Sequence, residues 1–280
     1  GQFLYGLNGV SQIEVDLDDG RHVYLDVFNQ KHIGAGDTVY QVVNQIERQP
    51  ILAGRPRRVF DVTLLINGLP IIQIEEKMDT RDVNEALNQM HQYIEEKQYS
   101  GIYSTTQILV AMTQNNVKYM ANTTSEMFNK DFAFHWQRWD NSIVRSWKDF
   151  ADQFLSIPMA HQMSTNYMIL DGTSNRQSLK VMRPYQVYAT QKIINKLKHV
   201  DFDNAINKVG YVWHTTGSGK TITSFKSAWL ASRLPNVDKV IFVVDRIQLT
   251  KQTSESYRAY DPEADMTMFS RLGSIADTEN

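Results

Sequence analysis

Near the start of the chain, apolar and polar positions alternate with a period of two. Ile13, Val15 and Leu17 are separated by polar residues, Asp18-Asp19-Gly20 supplies a turn, and residues 23–27 answer them, which predicts an antiparallel pair. A second pair is expected over residues 59–66 and 71–77, around Asn67-Gly68-Leu69-Pro70. The period then lengthens to that of a helix over residues 82–98, where Val83, Leu87, Met90 and Ile94 form one stripe. Residues 108–112 and 117–120 predict two further strands joined at Gln114-Asn115-Asn116. Residues 128–147 are aromatic and only weakly periodic. Polar residues with Gly and Ser dominate 171–180, where a domain boundary is placed. Beyond it the pattern predicts a helix to residue 199, a strand over 209–213, a helix over 220–234 and a strand over 240–245. Strands alternating with helices imply a parallel sheet.

The fold class is therefore α/β. A length of 280 residues, at about 150 per domain, suggests two domains: 1–170 and 183–280, with a linker at 171–182. The 29 Lys and Arg against 31 Asp and Glu give a net charge of -2, so no basic field covers the whole chain and any DNA contact must be local. No apolar run approaches the roughly 18 residues of a membrane-spanning helix, and the start lacks a secretory pattern. The chain is expected in the cytoplasm, with no membrane partner. Cysteine is absent, which excludes disulfides, thiolate zinc sites and a Cys nucleophile. The first residue is Gly1 rather than an initiator methionine, as in a fragment or a processed chain.

The sharpest local signal is His214-Thr215-Thr216-Gly217-Ser218-Gly219-Lys220-Thr221, between an apolar segment and a helix, the context of a phosphate-binding loop. Gly217 and Gly219 can take positive φ, which lets successive backbone N–H groups, that of Ser218 among them, curl around phosphate oxygens. Lys220 would reach the β- and γ-phosphates of a nucleotide, and the Thr221 hydroxyl would ligate its Mg²⁺. His214 stands where the full pattern has its first Gly. Upstream, Arg183-Pro184-Tyr185-Gln186 is similar to the Gln motif with which motor ATPases read the adenine edge. Pro184 equally suits the first turn of any helix.

In the first half, Asp61 lies on one expected strand and Glu75-Glu76-Lys77 on the next. Asp61 and Glu75 can hold a hard cation through oxygen, and Lys77 points to the same face as Glu75. Register decides whether they meet. A two-residue turn at Asn67-Gly68 sets Asp61 opposite Ile74 and turns Glu75 to the other face, whereas a shift by one residue sets Asp61 opposite Glu75. A site therefore demands an odd-length loop or a bulge. Glu95-Glu96-Lys97 repeats the tripeptide on an amphipathic helix, where it reads as a solvated face. Gln89 and Tyr93 share a face of that helix at i, i+4.

Taken in order, these residues resemble the R (motor and nuclease) subunit of type I restriction endonucleases. The resemblance rests on Asp61, NGLP at 67–70, Glu75 with Lys77, Gln89 with Tyr93, Gln186, HTTGSGKT at 214–221 and DRIQLTKQ at 245–252. It implies a PD-(D/E)xK nuclease-like domain followed by a truncated RecA-like domain of the superfamily 2 helicase kind. It further implies Mg²⁺ at Asp61 and Glu75, and Lys77 beside the attacking water or the charged phosphate. ATP would bind at Gln186, Gly217, Ser218, Gly219, Lys220 and Thr221. The implied partners are double-stranded DNA and the methylase and specificity subunits. In such motors the strand ending at Asp245 carries an early element, and the D-E-x-x box comes later; this chain has neither that box nor a second RecA-like domain. Glu76 departs from the apolar residue usual inside E-x-K. Two other readings stay open: an ATPase whose N-terminal half is a docking module, and a non-enzymatic scaffold. Trp136, Trp139 and Trp147, interleaved with Lys130, Arg138 and Arg145, suit either the first domain's core or an interface with the motor half.

Overall fold

The computed structural model describes residues 12–26, 33, 36–172, 177–200, 210–244, 247–261 and 266–267. Strands β1 (Gln12–Asp16) and β2 (His22–Asp26) pair antiparallel, with Ile13 opposite Leu25 and Val15 opposite Val23. Gly20 turns the chain between them at φ 80°.

The body of the first half is a five-stranded sheet in the order β3-β4-β5-β6-β7. Its strands are β3 (Tyr40–Arg48), β4 (Arg58–Ile66), β5 (Leu69–Glu76), β6 (Ile108–Thr113) and β7 (Asn116–Ala121). All neighbours run antiparallel except β5 and β6. A parallel pair needs a long crossover, and helix α1 (Val83–Glu95) supplies it. Asp82 caps α1 by accepting the Asn84 N–H at 2.8 Å, worth about 1 kcal/mol.

Strand β3 was not anticipated. Its sequence YQVVNQIER sets Val42 and Val43 side by side, both exposed, and Gln45 at φ 52° interrupts the alternation. An edge strand has no apolar face to bury on both sides, so its pattern carries little signal.

The inner strands are buried on both faces. On one, Val83, Ala86, Leu87, Met90 and Tyr93 of α1 pack against Phe60, Leu109, Ala111 and Met120. On the other, Tyr119 meets Phe134, Trp136, Phe150 and Phe154 at ring separations of 4.6 to 6.3 Å. This aromatic layer comes from the irregular segment and from α2 (Trp147–Phe150), which continues as a π turn before α3 (Met159–Ser164). Trp136 belongs to this core, whereas Trp139 and Trp147 are exposed. Two-sided burial explains why β6 is a continuous apolar run.

A two-stranded ribbon, β8 (Met168–Asp171) and β9 (Ser178–Val181), occupies part of the segment expected as a linker. Strands of four residues pairing only with each other lack the periodicity that reveals longer ones. Contacts divide the chain into two compact units, residues 1–169 with 179–188 and residues 170–178 with 189–280. The division passes through this ribbon and helix α4 (Pro184–Lys198).

In the second unit, α5 (Lys220–Ala231) and α6 (Ile247–Tyr260) pack side by side. Phe225 lies edge-on to Tyr257 and Tyr260 at 5.2 and 5.1 Å, and the Tyr257 hydroxyl donates to Ser224 Oγ at 2.8 Å. The strands expected over 209–213 and 240–245 do not form among the described residues 210–213 and 240–244. Most of their apolar residues are exposed, Tyr211 by 89% and Trp213 by 85%. An apolar run reports a tendency to be buried, but a strand exists only where a neighbour completes the ladder. Val209 and Asp245 lie outside the described residues.

Candidate functional site

The β4–β5 hairpin resolves the register question with both devices at once. Asn67 (φ 51°) and Gly68 (φ 78°) form a two-residue turn, and Ile66 pairs with Leu69 and Leu65 with Pro70. Continued unchanged, that register would separate Asp61 from Glu75. Between Leu65 and Leu64 it shifts: Leu64 pairs with Ile72, Thr63 with Gln73 and Val62 with Ile74. Ile71 is the extra residue of a β-bulge. Pro70 has no N–H for the ladder, and the Ile71 carbonyl accepts from Gln107 N at 2.8 Å, at the start of β6. The bulge brings Asp61 alongside Glu75.

Glu75 is fully buried. Gln73 Nε2 donates to its Oε1 at 3.2 Å, and the Tyr93 hydroxyl donates to its Oε2 at 3.4 Å. That single hydroxyl proton is shared with the Val59 carbonyl at 3.1 Å, and the Tyr93 oxygen receives the Gln89 amide. Asp61 Oδ2 accepts the Glu76 N–H at 2.9 Å, and the Asp61 carboxyl lies within hydrogen-bonding reach of that of Glu75. Lys77 follows the strand; its N–H reaches Met112 O at 2.8 Å and its Nζ reaches Glu76 O at 3.0 Å. Glu76 is exposed. An open groove of about 330 Å³ runs from Glu76 and Lys77 past Thr113 and Gln114 to Trp147.

Burial, and then the charge of Asp61, pushes the Glu75 carboxyl up to about 8, with Lys77 opposing. Two carboxylates this close cannot both ionise cheaply without a counter-charge. At neutral pH the pair therefore holds a proton, in a place where a cation would serve instead. Tyr93 is raised as well, by burial first and by the charge of Glu75 second. No cluster of three or more His, Asp or Glu able to hold a metal exists among the described residues. The donor set is a pair of hard oxygens, which suits Mg²⁺, an ion that keeps several waters and binds through one or two carboxylates.

In the second unit, Gly217 and Gly219 both stand at φ 78°. Gly219 begins α5, and no side chain caps that helix. Lys220 Nζ folds back over the loop onto the Thr215 carbonyl at 2.9 Å, and Ser218 Oγ donates to the same carbonyl at 2.7 Å. Burial and then the Lys220 charge hold His214 below the ordinary histidine range. Left-handed glycines leading into a helix N-terminus are an arrangement in which backbone N–H groups can face an anion. Thr221 is half-buried on the first turn of α5.

Residues 5–128 match the family model for the type I restriction enzyme R protein N terminus, and residues 179–279 that for the type III restriction enzyme res subunit. The endonuclease subunit of type I restriction enzyme SsaAORF53P from Staphylococcus saprophyticus is 35% identical over 243 residues, 87% of this chain and 24% of that protein. The SauMSSORF170P endonuclease subunit of Staphylococcus aureus is 36% identical with the same coverage. The chain belongs to the R-subunit family of type I restriction enzymes. It spans about a quarter of the length of these staphylococcal relatives. It covers 61% of the EcoprrI endonuclease subunit of Escherichia coli, to which it is 34% identical over 200 residues. No helix among the described residues is long and apolar enough to cross a membrane.

Within this R-subunit relative, Asp61, Glu75, Gln89 and Tyr93 come together, with Lys77 close enough to lower the carboxyl of Glu75. Gln186 is buried, and its side-chain oxygen accepts the Arg183 N–H at 2.9 Å, closing the N-terminus of α4 as a plain helix cap does. Glu96, expected on a solvated face, is fully buried and held by Arg58 through two bonds of 2.8 and 2.6 Å. Helix α1 has ended by that point and Lys97 stands at φ 57°, so the helical stripe no longer fixes which way Glu96 faces. Thr63 and Gln73 were not anticipated as part of the site. The available signal was a Gln inside the apolar run Ile71-Ile72-Gln73-Ile74.

Proposed function

We propose that this chain carries the nuclease site and the start of the ATP-driven motor of a type I restriction enzyme R subunit. The first unit is read as a PD-(D/E)xK fold that cleaves double-stranded DNA, and the second as the opening of a RecA-like domain. The enzyme would work in the cytoplasm with methylase and specificity subunits. The observation that carries this reading is the bulge at Ile71, which brings Asp61 and Glu75 together. A bulge that buries a second carboxylate beside the first costs stability, and a cation site supplies the reason for it.

Asp61 and Glu75 would hold Mg²⁺, which when bound supplies positive charge beside the scissile phosphate and acidifies water there. Tyr93, steadied by Gln89, fixes one oxygen of Glu75. Lys77, at the open end of the strand, would face the phosphate and stabilise its developing charge. In the second unit, Lys220 would leave the Thr215 carbonyl for the nucleotide phosphates, and Thr221 would reach the Mg²⁺ carried with ATP. Gln186 remains a proposed adenine contact; its oxygen is engaged at its own helix end, and its N–H₂ group is the part suited to an adenine acceptor.

The test uses the complete enzyme with its partner subunits, DNA carrying a recognition site, ATP and Mg²⁺. Asp61→Ala should abolish cleavage while ATP hydrolysis continues, and Lys220→Ala should abolish ATP binding at millimolar nucleotide. Wild-type cleavage by both Asp61→Ala and Glu75→Ala would overturn the nuclease reading.

A further inference from the structure

Gln73 occupies a strand position that the hydrophobic pattern assigns to an apolar residue. It lies between Ile72 and Ile74 in the middle of β5, and it is fully buried. Leaving an amide unbonded there would cost about 1–3 kcal/mol, so its partners define what it does. The bulged register sets Gln73 directly opposite Thr63, which is also fully buried. The Thr63 hydroxyl donates to Gln73 Oε1 at 2.8 Å. The amide nitrogen then donates to the Ile74 carbonyl and to Glu75 Oε1, each at 3.2 Å.

The order of donors matters. The form of Glu75 that binds a cation is the ionised carboxylate, which only accepts, and the amide end that faces it is the N–H₂ end. The amide oxygen then points the other way and needs a donor of its own, which Thr63 provides. Tyr93 holds the second carboxylate oxygen from α1. A donor beside each oxygen favours one orientation of the Glu75 carboxyl, next to Asp61.

We propose that Thr63 and Gln73 are positioning residues that preset the Glu75 carboxylate for a divalent cation, a second arm beside Tyr93 and Gln89. The proposal rests on the metal-site reading above. Groups of this kind, bonded to a metal ligand but not to the metal, change metal affinity about 10–100-fold when removed.

The experiment measures Mn²⁺ binding to the full-length subunit by electron paramagnetic resonance, without DNA or nucleotide. Only the component lost in Glu75→Gln is counted. Gln73→Leu should weaken it about 10–100-fold. Thr63→Val, which keeps the shape and removes the hydroxyl, should weaken it several-fold, and Thr63→Ser should restore it. Should Gln73→Leu fail to fold, the Val and Ser pair at position 63 carries the comparison. Equal Mn²⁺ affinity in Thr63→Val, Thr63→Ser and the unaltered subunit overturns the positioning role. Unaltered Mn²⁺ binding in Glu75→Gln overturns the metal-site reading itself, a separate result.

Discussion

Replacing Glu75 by Gln removes a carboxyl that burial and Asp61 hold at about 8, against 4.5 for the free group. Between these values the folded protein keeps a proton that the unfolded chain has released. Stability must therefore fall as pH rises, by about 1.4 kcal/mol for each unit. The contribution is fully present below the unfolded value and is lost as pH climbs through the folded one. Over the whole window it amounts to about 5 kcal/mol, an order-of-magnitude figure for a group with no exposed surface. Glu75→Gln keeps a neutral group of the same size and cannot lose a proton. At pH 5 the two proteins should unfold at similar urea concentrations, with about 1 kcal/mol between them for altered hydrogen bonds. At pH 8.5 the variant should be the more stable by several kcal/mol. Mg²⁺ should close that gap by stabilising the unaltered protein alone, because a ligand bound only to the folded state adds stability. The assay is urea unfolding at several pH values, with and without Mg²⁺. A stability difference that stays constant from pH 5 to 8.5 would refute the reasoning.

Three further outcomes follow from other parts of the molecule. Arg58→Ala strands the buried Glu96 carboxylate and should cost about 3–5 kcal/mol in urea unfolding, while replacing both partners by apolar residues recovers most of it. Since Arg58 holds Glu96 below the usual carboxylate range, this pair's contribution is present at neutral pH and is lost as pH falls through the lowered value, which acid titration of the melting temperature will reveal. Gly217→Ala meets no atom within 4 Å but forces a Cβ into a left-handed backbone, so it should lower stability by about 1–2 kcal/mol and weaken nucleotide binding, measured by calorimetry. Asp82→Ala removes the α1 cap and should cost about 1 kcal/mol without changing Mn²⁺ affinity.

Where burial and period coincide, the sequence is a good guide. Helix α1 and the strands from β4 to β7 have two faces to satisfy, and their apolar residues stand where those faces require. The candidate site was legible for a different reason: Asp61, Glu75, Gln89 and Tyr93 are polar groups in elements that otherwise bury apolar ones. Strand β3 was not legible, because Val42 and Val43 are exposed at an edge and only Ile46 of its apolar residues packs against the core. The segments before His214 and after α5 were apolar enough to predict strands, but periodicity cannot name a ladder partner, and no ladder forms among their described residues.

The two copies of Glu-Glu-Lys show what a tripeptide can and cannot carry. In the first, the middle glutamate is exposed and the first is buried beside Asp61; in the second, the first is exposed and Glu96 is buried against Arg58. The same three letters thus bury different members, because a strand alternates faces at each residue and a helix end does not. Their electrostatics also run in opposite directions. A carboxylate partner lifts the carboxyl of Glu75, and a guanidinium lowers that of Glu96. One buried glutamate is satisfied by the protein itself and stabilises the fold. The other is held by amide and hydroxyl donors, beside a second carboxyl, and its ionised form still needs a positive charge from outside the pair. That requirement, met only in part by Lys77, rather than the motif, marks a candidate binding site instead of an ion pair.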